Sequence, residues 1–243
     1  MGRKWNNIKM KKAAQDKARS ANYTKILREV TMAVRRAGAE PESNFALKIA
    51  LLKGKENNVP RDNIERAIKK GLGNDGDNYE EISYEGYGLD GVAIFVDAAT
   101  DNPTRTIGNI RSYFNRWGGS IGTQGCLQFV FERKAVFTVK AEGIDVDQLT
   151  MDLIDAGCED IESEDGYLTI KGAVESYGEL HKKLEELKIP VDESGLERLP
   201  LNTKEVKDRE NYGKILKLID ALEEDDDVQK VYHNMEFNEA FSE

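Results

Sequence analysis

The chain has 243 residues, 39% of them hydrophobic and 33% charged, and a formal net charge of −10. That length suits one or two domains and leaves room for three small ones, and the composition is that of an ordinary globular protein. No apolar run approaches the ~18–20 residues of a membrane span, and the basic start lacks the apolar stretch of a secretory signal, so neither a membrane-embedded nor an exported protein is expected.

Residues 1–22 read as a basic arm. Trp5, Ile8 and Met10 are scattered among Arg3, Lys4, Lys9, Lys11, Lys12, Lys17 and Arg19 without forming a stripe, so an isolated helix there gains little in water. Over 23–37 the apolar residues Tyr23, Ile26, Leu27, Val30, Ala33, Val34 and Ala37 recur at helical spacing, and Gly38 ends the pattern as a left-handed cap. A second helix is expected over about 44–56. A third follows "NNVP", with Pro60 near its first turn and Gly71 just past its last. Residues 23–76 thus form a small helical domain with most of its Lys and Arg facing solvent.

"GLGNDGDN", residues 71–78, reads as a linker, after which the texture changes to strands. "EISYEGYG" and "GVAIFVDAAT" form a hairpin across a Gly-rich turn. "DNPTRTIGNIRSYFNRWGG" is a helix that Asn102 can cap, with Pro103 in its first turn and Ile107, Ile110, Phe114 and Trp117 on one face. "GGSIGTQG" reads as a helix-to-strand loop, and "CLQFVFERKAVFTVK" as a long extended stretch.

Residues 135–200 contain the order β-α-β-β-α-β of a ferredoxin-like unit, with strands "AVFTVK", "CEDIES", "YLTIKG" and "VDESGLERLP". Val146, Leu149, Leu153 and Ile154 mark its first helix, and Val174, Tyr177, Leu180, Leu184 and Leu187 its second. A helix at about 209–223 and a strand at "VQKVY" complete a similar set for the flanking pieces. The expected class is therefore α+β with three domains. A helical domain precedes an α/β domain made of 77–134 plus 201–243, and a second α/β domain, 135–200, is inserted into it.

Most motifs that suggest chemistry have plainer readings. Gly71, Gly73 and Gly76, and again Gly86, Gly88 and Gly91, match G-x-G-x-x-G, but neither set joins a strand to a helix N-terminus, so both are turns. The run "EEDDD", residues 223–227, lacks the interspersed turn residues of a hard-cation loop and reads as a solvated helix end. His181 reads as a packed imidazole at the edge of an apolar stripe; His233 is far from it in sequence. Cys126 and Cys158 fit a reduced compartment, give no metal-ligand spacing and read as inert thiols. No catalytic, metal or cofactor site is expected.

Charge carries the functional signal. Residues 1–70 hold 18 Lys or Arg against 7 Asp or Glu, a balance of +11, and the remaining 173 hold 17 against 38, a balance of −21. Such segregation speaks of partners rather than of fold. Two readings compete: a tail that is solvated or lies on the chain's own acidic body, and an arm that orders on nucleic-acid phosphates with Trp5 or Tyr23 stacking on a base. On the second reading the contacts are the arm's cations together with Lys25, Arg28, Arg61, Arg66, Lys69 and Lys70 of the helical domain.

"KWNNIKMKKAAQDKARSANYTKILREV", "NNVPRDNIERAIKKG", "YEGYG…GVAIFVDAATDNPTRT", "GGSIGTQGCLQFVF" and "DVQKVYHNMEF", in that order, resemble the YebC/PmpR family over nearly the whole chain. The resemblance implies a three-domain α+β protein with a cleft between lobes, a bacterial cytoplasmic setting and no catalysis. Family members are named as DNA-binding transcriptional regulators; mitochondrial relatives are described as translational activators, and bacterial ones are linked to stalled ribosomes. The expected function is thus a non-enzymatic nucleic-acid-binding regulator of gene expression, acting on DNA by family naming. The alternative is a ribosome-associated translation factor that contacts ribosomal or messenger RNA through the same arm. A protein-interaction adaptor stands behind these, and an enzyme, for instance a metal-dependent nuclease, stands last. Lys4, Trp5, Asn6, Ile8, Lys9, Lys12, Gln15, Asp16 and Lys17 match the family's basic arm and carry over as contact candidates. "MGRKW" departs from the usual G-H-S-K-W, and Met10 stands where histidine is common, so roles of those histidines do not carry over. "TDNPTRT" also matches, with Asn102, Arg105 and Thr106 in place; Arg105, near a helix N-terminus, is a candidate anion contact.

Overall fold

The computed structural model describes residues 15–73 and 79–241. They fall into two compact units, one drawn from Met1–Asp75 and Arg133–Arg198, the other from Gly76–Glu132 and Leu199–Glu243.

The first unit opens with three helices: α1 (Gln15–Ala37), α2 (Phe45–Glu56) and α3 (Arg61–Leu72). Helix α1 starts eight residues before the apolar pattern at Tyr23. Gln, Lys, Ala and Arg are good helix formers, and extending a helix already nucleated by packing needs no stripe. Val30, Ala33, Val34, Leu47, Ala50 and Ala67 make the buried core of the three helices. Asn44, 2% exposed, fastens α1 to α2: its Oδ1 accepts from Leu47 N (3.1 Å), while its Nδ2 donates to the carbonyls of Ala33 and Gly38 (2.7 Å each). Gly71, expected just past α3, lies inside it; a Cβ there would sit 2.7 Å from Val34 Cβ and 2.8 Å from the Thr31 carbonyl, so its absence lets α1 and α3 close up.

The same unit contains an antiparallel sheet in the order β5-β6-β4-β7, made of β4 (Phe131–Lys140), β5 (Cys158–Glu164), β6 (Tyr167–Gly172) and β7 (Val191–Pro200). That is the order of a ferredoxin-like unit. Register Ala135↔Gly172, Phe137↔Ile170 and Val139↔Leu168 puts one buried face together. Helices α5 (Val146–Ile154) and α6 (Tyr177–Glu186) cover it with Leu149, Leu153, Tyr177, Leu180 and Leu184. Ile49 of α2 is buried in this second core, and the Phe45 ring meets Tyr177 edge-on at 6.3 Å. Neither periodicity nor charge signals that the helical segment and the 135–200 segment share a unit.

The second unit is built on the sheet β3-β1-β2-β8, from β1 (Glu80–Tyr87), β2 (Ala93–Thr100), β3 (Ser120–Ile121) and β8 (Val228–His233). Strand β2 is buried on both faces. Ile94 and Val96 meet Ile110 and Phe114 of α4 (Pro103–Arg116) and Tyr212, Ile215, Leu218 and Leu222 of α7 (Arg209–Glu223), while Ala93 and Phe95 meet Leu127 and Phe131. Double burial explains why β2 reads as a continuous apolar run rather than an alternation.

Two local expectations fail here. "GGSIGTQG" contains β3, paired with β1 through Gly86↔Ile121 and Tyr87↔Ser120. Residues 126–130, expected to be extended, continue a run of turns that begins at 124, because the buried carboxylate of Glu85 captures the backbone N–H groups of Gly125 (2.8 Å) and Leu127 (2.6 Å).

Candidate nucleic-acid interface

Arg3, Lys4, Trp5, Asn6, Ile8, Lys9, Lys11 and Lys12 lie outside the described residues. The backbone of Gln15, Asp16, Lys17 and Arg19 belongs to the first turns of α1, with their side chains outside the described part. Tyr23 is half-buried, and its hydroxyl donates to the Asn58 carbonyl at 3.3 Å.

The helical core fixes where the described cations point. Burial of Ala67 and Gly71 turns Arg61, Arg66, Lys69 and Lys70 of α3 outward. Arg61 pairs with Glu65 one turn on, at 3.0 Å, while Arg66, Lys69 and Lys70 gather toward the helix's C-terminal end. Lys25 and Arg28 of α1 are half-buried. Each of the three helices also ends on a basic pair: Arg35 and Arg36, Lys53 and Lys55, Lys69 and Lys70. Cations there are favoured by the helix dipole, at about 0.3–1 kcal/mol each, so part of this charge is structural. Lys53 illustrates the structural share, pairing with Glu29 at 2.8 Å with both side chains largely covered.

Arg105 lies in the second unit. Its expected anion is supplied from within the chain: Nη2 donates to Asp101 Oδ1 and to Asp227 Oδ2, both at 2.8 Å. Asn102 caps α4, accepting from Arg105 N at 3.1 Å. Asp227 Oδ2 also lies within hydrogen-bond reach of the hydroxyls of Thr106 (2.8 Å) and Thr100 (3.2 Å). Burial pushes the Asp227 carboxyl upward, but hydrogen bonds from Arg105, Thr106 and Thr100 outweigh it and hold its pKa below the ordinary 3.8. Neighbouring Asp225 Oδ2 accepts from Tyr113 (3.0 Å) and Asn109 (3.2 Å); burial and this carboxylate push the Tyr113 phenol up to about 12.

The expectation of a solvated "EEDDD" end is therefore overturned at two positions. Asp225 and Asp227 are 8% and 5% exposed and tie the end of α7 to α4. Among the described residues no group of three or more His, Cys, Asp or Glu is arranged to hold a metal ion. His181 packs as expected, stacked on Tyr177 and beside Phe137, and burial lowers its pKa. Both cysteines are half-buried thiols whose pKa burial raises. No described helix is long and apolar enough to cross a membrane.

One basic surface went unnoticed in the sequence. Arg111 and Arg116 stand exposed on α4, in a stretch, residues 102–131, that contains three arginines and no acidic residue. A scan for acid-free windows, rather than for runs of Lys and Arg, would have found it.

The family model described as "TACO1/YebC protein N-terminal domain" matches residues 3–74, and that described as "TACO1/YebC second and third domain" matches residues 79–235. A protein of Persephonella marina named "Probable transcriptional regulatory protein" is 43% identical over 242 residues, covering 99% of this chain and 97% of its own length. A protein of Chlorobaculum tepidum with the same designation is 44% identical over 239 residues, covering 98% and 95%. The crystal structure of a conserved hypothetical protein, Aq1575 from Aquifex aeolicus, superposes with a TM-score of 0.85 at 38% identity and 94% coverage of each chain.

Proposed function

Because this chain belongs to the TACO1/YebC family, we propose that it is a non-enzymatic, cytoplasmic regulator of gene expression that binds the phosphate backbone of nucleic acid through its basic N-terminal arm and helical segment. The observation that carries the reading is the balance of +11 in residues 1–70 of a chain with net charge −10. The relatives' designation as transcriptional regulatory proteins supports it and favours DNA. Arg66, Lys69 and Lys70 supply an exposed cationic face on α3 in addition to the charges the arm carries in sequence.

The acidic remainder, with its balance of −21, supports a second reading within the same chemistry. A body that repels polyanions confines contact to one end, as suits a factor that inserts its basic end into a large RNA assembly. Co-sedimentation with ribosomes, compared with retention on duplex DNA at physiological salt, separates the two targets.

The direct test is charge reversal on the arm. Lys9→Glu, Lys11→Glu and Lys12→Glu together should weaken binding by well over tenfold at low salt, since each removes an attraction and adds a repulsion. Unchanged affinity would show that the arm is not the contact.

A further inference from the structure

The second unit is acidic, with nine Lys or Arg against twenty Asp or Glu over Gly76–Glu132 and Leu199–Glu243. Its α4 departs from that background. Ile110 and Phe114 bury one side of the helix, which leaves Gly108, Arg111, Ser112, Asn115 and Arg116 exposed on the other. These five residues form one open, nearly flat surface on the helix. At about 100° per residue, Gly108, Ser112 and Asn115 form its floor, and the two arginines flank it on opposite sides.

Several exposed helix cations have carboxylates one turn away, Arg61 with Glu65, Lys182 with Glu186, Lys214 with Glu210 and Arg105 with Asp101, whereas Lys48 and Lys55 of α2 have no acidic residue three or four positions away. Arg111 and Arg116 have none at helical spacing. The residues three and four away on the helix are Ile107, Gly108, Phe114 and Asn115 for Arg111, and Ser112 and Tyr113 for Arg116. The dipole accounts for Arg116 in the last turn but not for Arg111 in the middle. Arg116 is also held in place: its Cζ lies 5.4 Å from the centre of the Trp117 ring, and Lys217 Nζ of α7 approaches the same ring at 5.6 Å.

We propose that this face of α4 is a second phosphate-binding surface, on which Arg111 and Arg116 straddle the backbone of a nucleic-acid strand, with Ser112 and Asn115 as hydrogen-bond partners beneath it. Planar guanidiniums suit phosphate oxygens, and a floor with little side chain lets the backbone come close. Lys217 adds charge at one end. The proposal rests on the nucleic-acid reading above and extends it, since contact would no longer be confined to the basic first segment.

The test uses the full chain, its Arg111→Ala/Arg116→Ala variant and, separately, Ser112→Glu, which puts a carboxylate on the floor with both arginines intact. Binding to a fluorescein-labelled oligonucleotide, offered as single-stranded RNA or as duplex DNA, is measured by anisotropy across a salt series. The expected result is about a tenfold loss of affinity for either variant, a log–log salt slope shallower by about 1.5 for the double alanine variant, and an unchanged melting temperature. A parent chain that binds, with both variants matching it in affinity and slope, overturns the α4 surface and leaves the arm. A parent that binds neither probe overturns the nucleic-acid reading itself. If poly-glutamate competes as well as nucleic acid for the parent and loses that ability with the double variant, the surface belongs to an acidic protein segment instead.

Discussion

Glu85 shows how much one carboxylate can organise. It is 6% exposed and receives two backbone N–H groups from a segment some 40 residues later, shaping the turns that carry Leu127 into the core. Glu85→Ala would bury two donors without partners and should cost about 3 kcal/mol, read as a lower denaturation midpoint, with Glu85→Gln milder. Nothing near Glu85 in the sequence announces this, because its partners are distant main-chain groups. The same holds for Asp225 and Asp227, whose partners on and beside α4 precede them by more than 110 residues. Glu56 offers a pH test. Its Oε1 accepts from Ser194 Oγ at 2.7 Å, and because that hydroxyl's single proton is so used, the Tyr177 phenol 2.6 Å away must donate to Ser194. Burial raises the Glu56 pKa above 4.5, against the opposing hydrogen bond from Ser194. An acid with a raised folded pKa loses its proton first in the unfolded chain, so stability falls as pH climbs through 4.5 toward the folded value. Glu56→Gln removes that dependence. Its denaturation midpoint should gain on the parent's as pH rises from about 4 to about 7, and a constant difference across that window would refute the assignment.

Elements were read more easily than their ends. Periodicity and capping placed α4 well: Asn102 accepts from Arg105 N as a cap should, Pro103 occupies the first turn, and Ile110 and Phe114 are fully buried. Strand β7 and helix α7 fall where their patterns put them, because long amphipathic segments average out local ambiguity. Strand β3 escaped notice because two residues are too few to show alternation. Gly71 escaped because a glycine near a helix end looks like a terminator when it is in fact a point of close approach. Two glycine variants separate these roles. Gly71→Ala should destabilise by about 1–3 kcal/mol, since its Cβ meets Val34 and the Thr31 carbonyl. Gly213→Ala on α7, where a Cβ meets nothing within 4 Å, should stabilise by about 0.5–1 kcal/mol. Thermal melts of the two variants would move in opposite directions; equal shifts would contradict the packing explanation for Gly71.

At the scale of the whole molecule, the sequence revealed the family more readily than any single contact. Family membership came from five motifs in order, and the matches of TACO1/YebC models to residues 3–74 and 79–235 show it. Charge segregation is a sum over many residues and survives ignorance of any one side chain. Arg105 does not survive in that way: two internal carboxylates already hold it, and only their positions in space reveal this. The Arg111 and Arg116 pair lay hidden for the opposite reason, being too sparse to register as a basic run inside an acidic unit. The most direct measurement is the affinity of the full chain for a labelled oligonucleotide as sodium chloride is raised. Neutralising about six phosphates predicts a log–log slope near −5 on duplex DNA or about −4 on a single strand, whereas a flat line would contradict binding driven by the cationic end of this molecule.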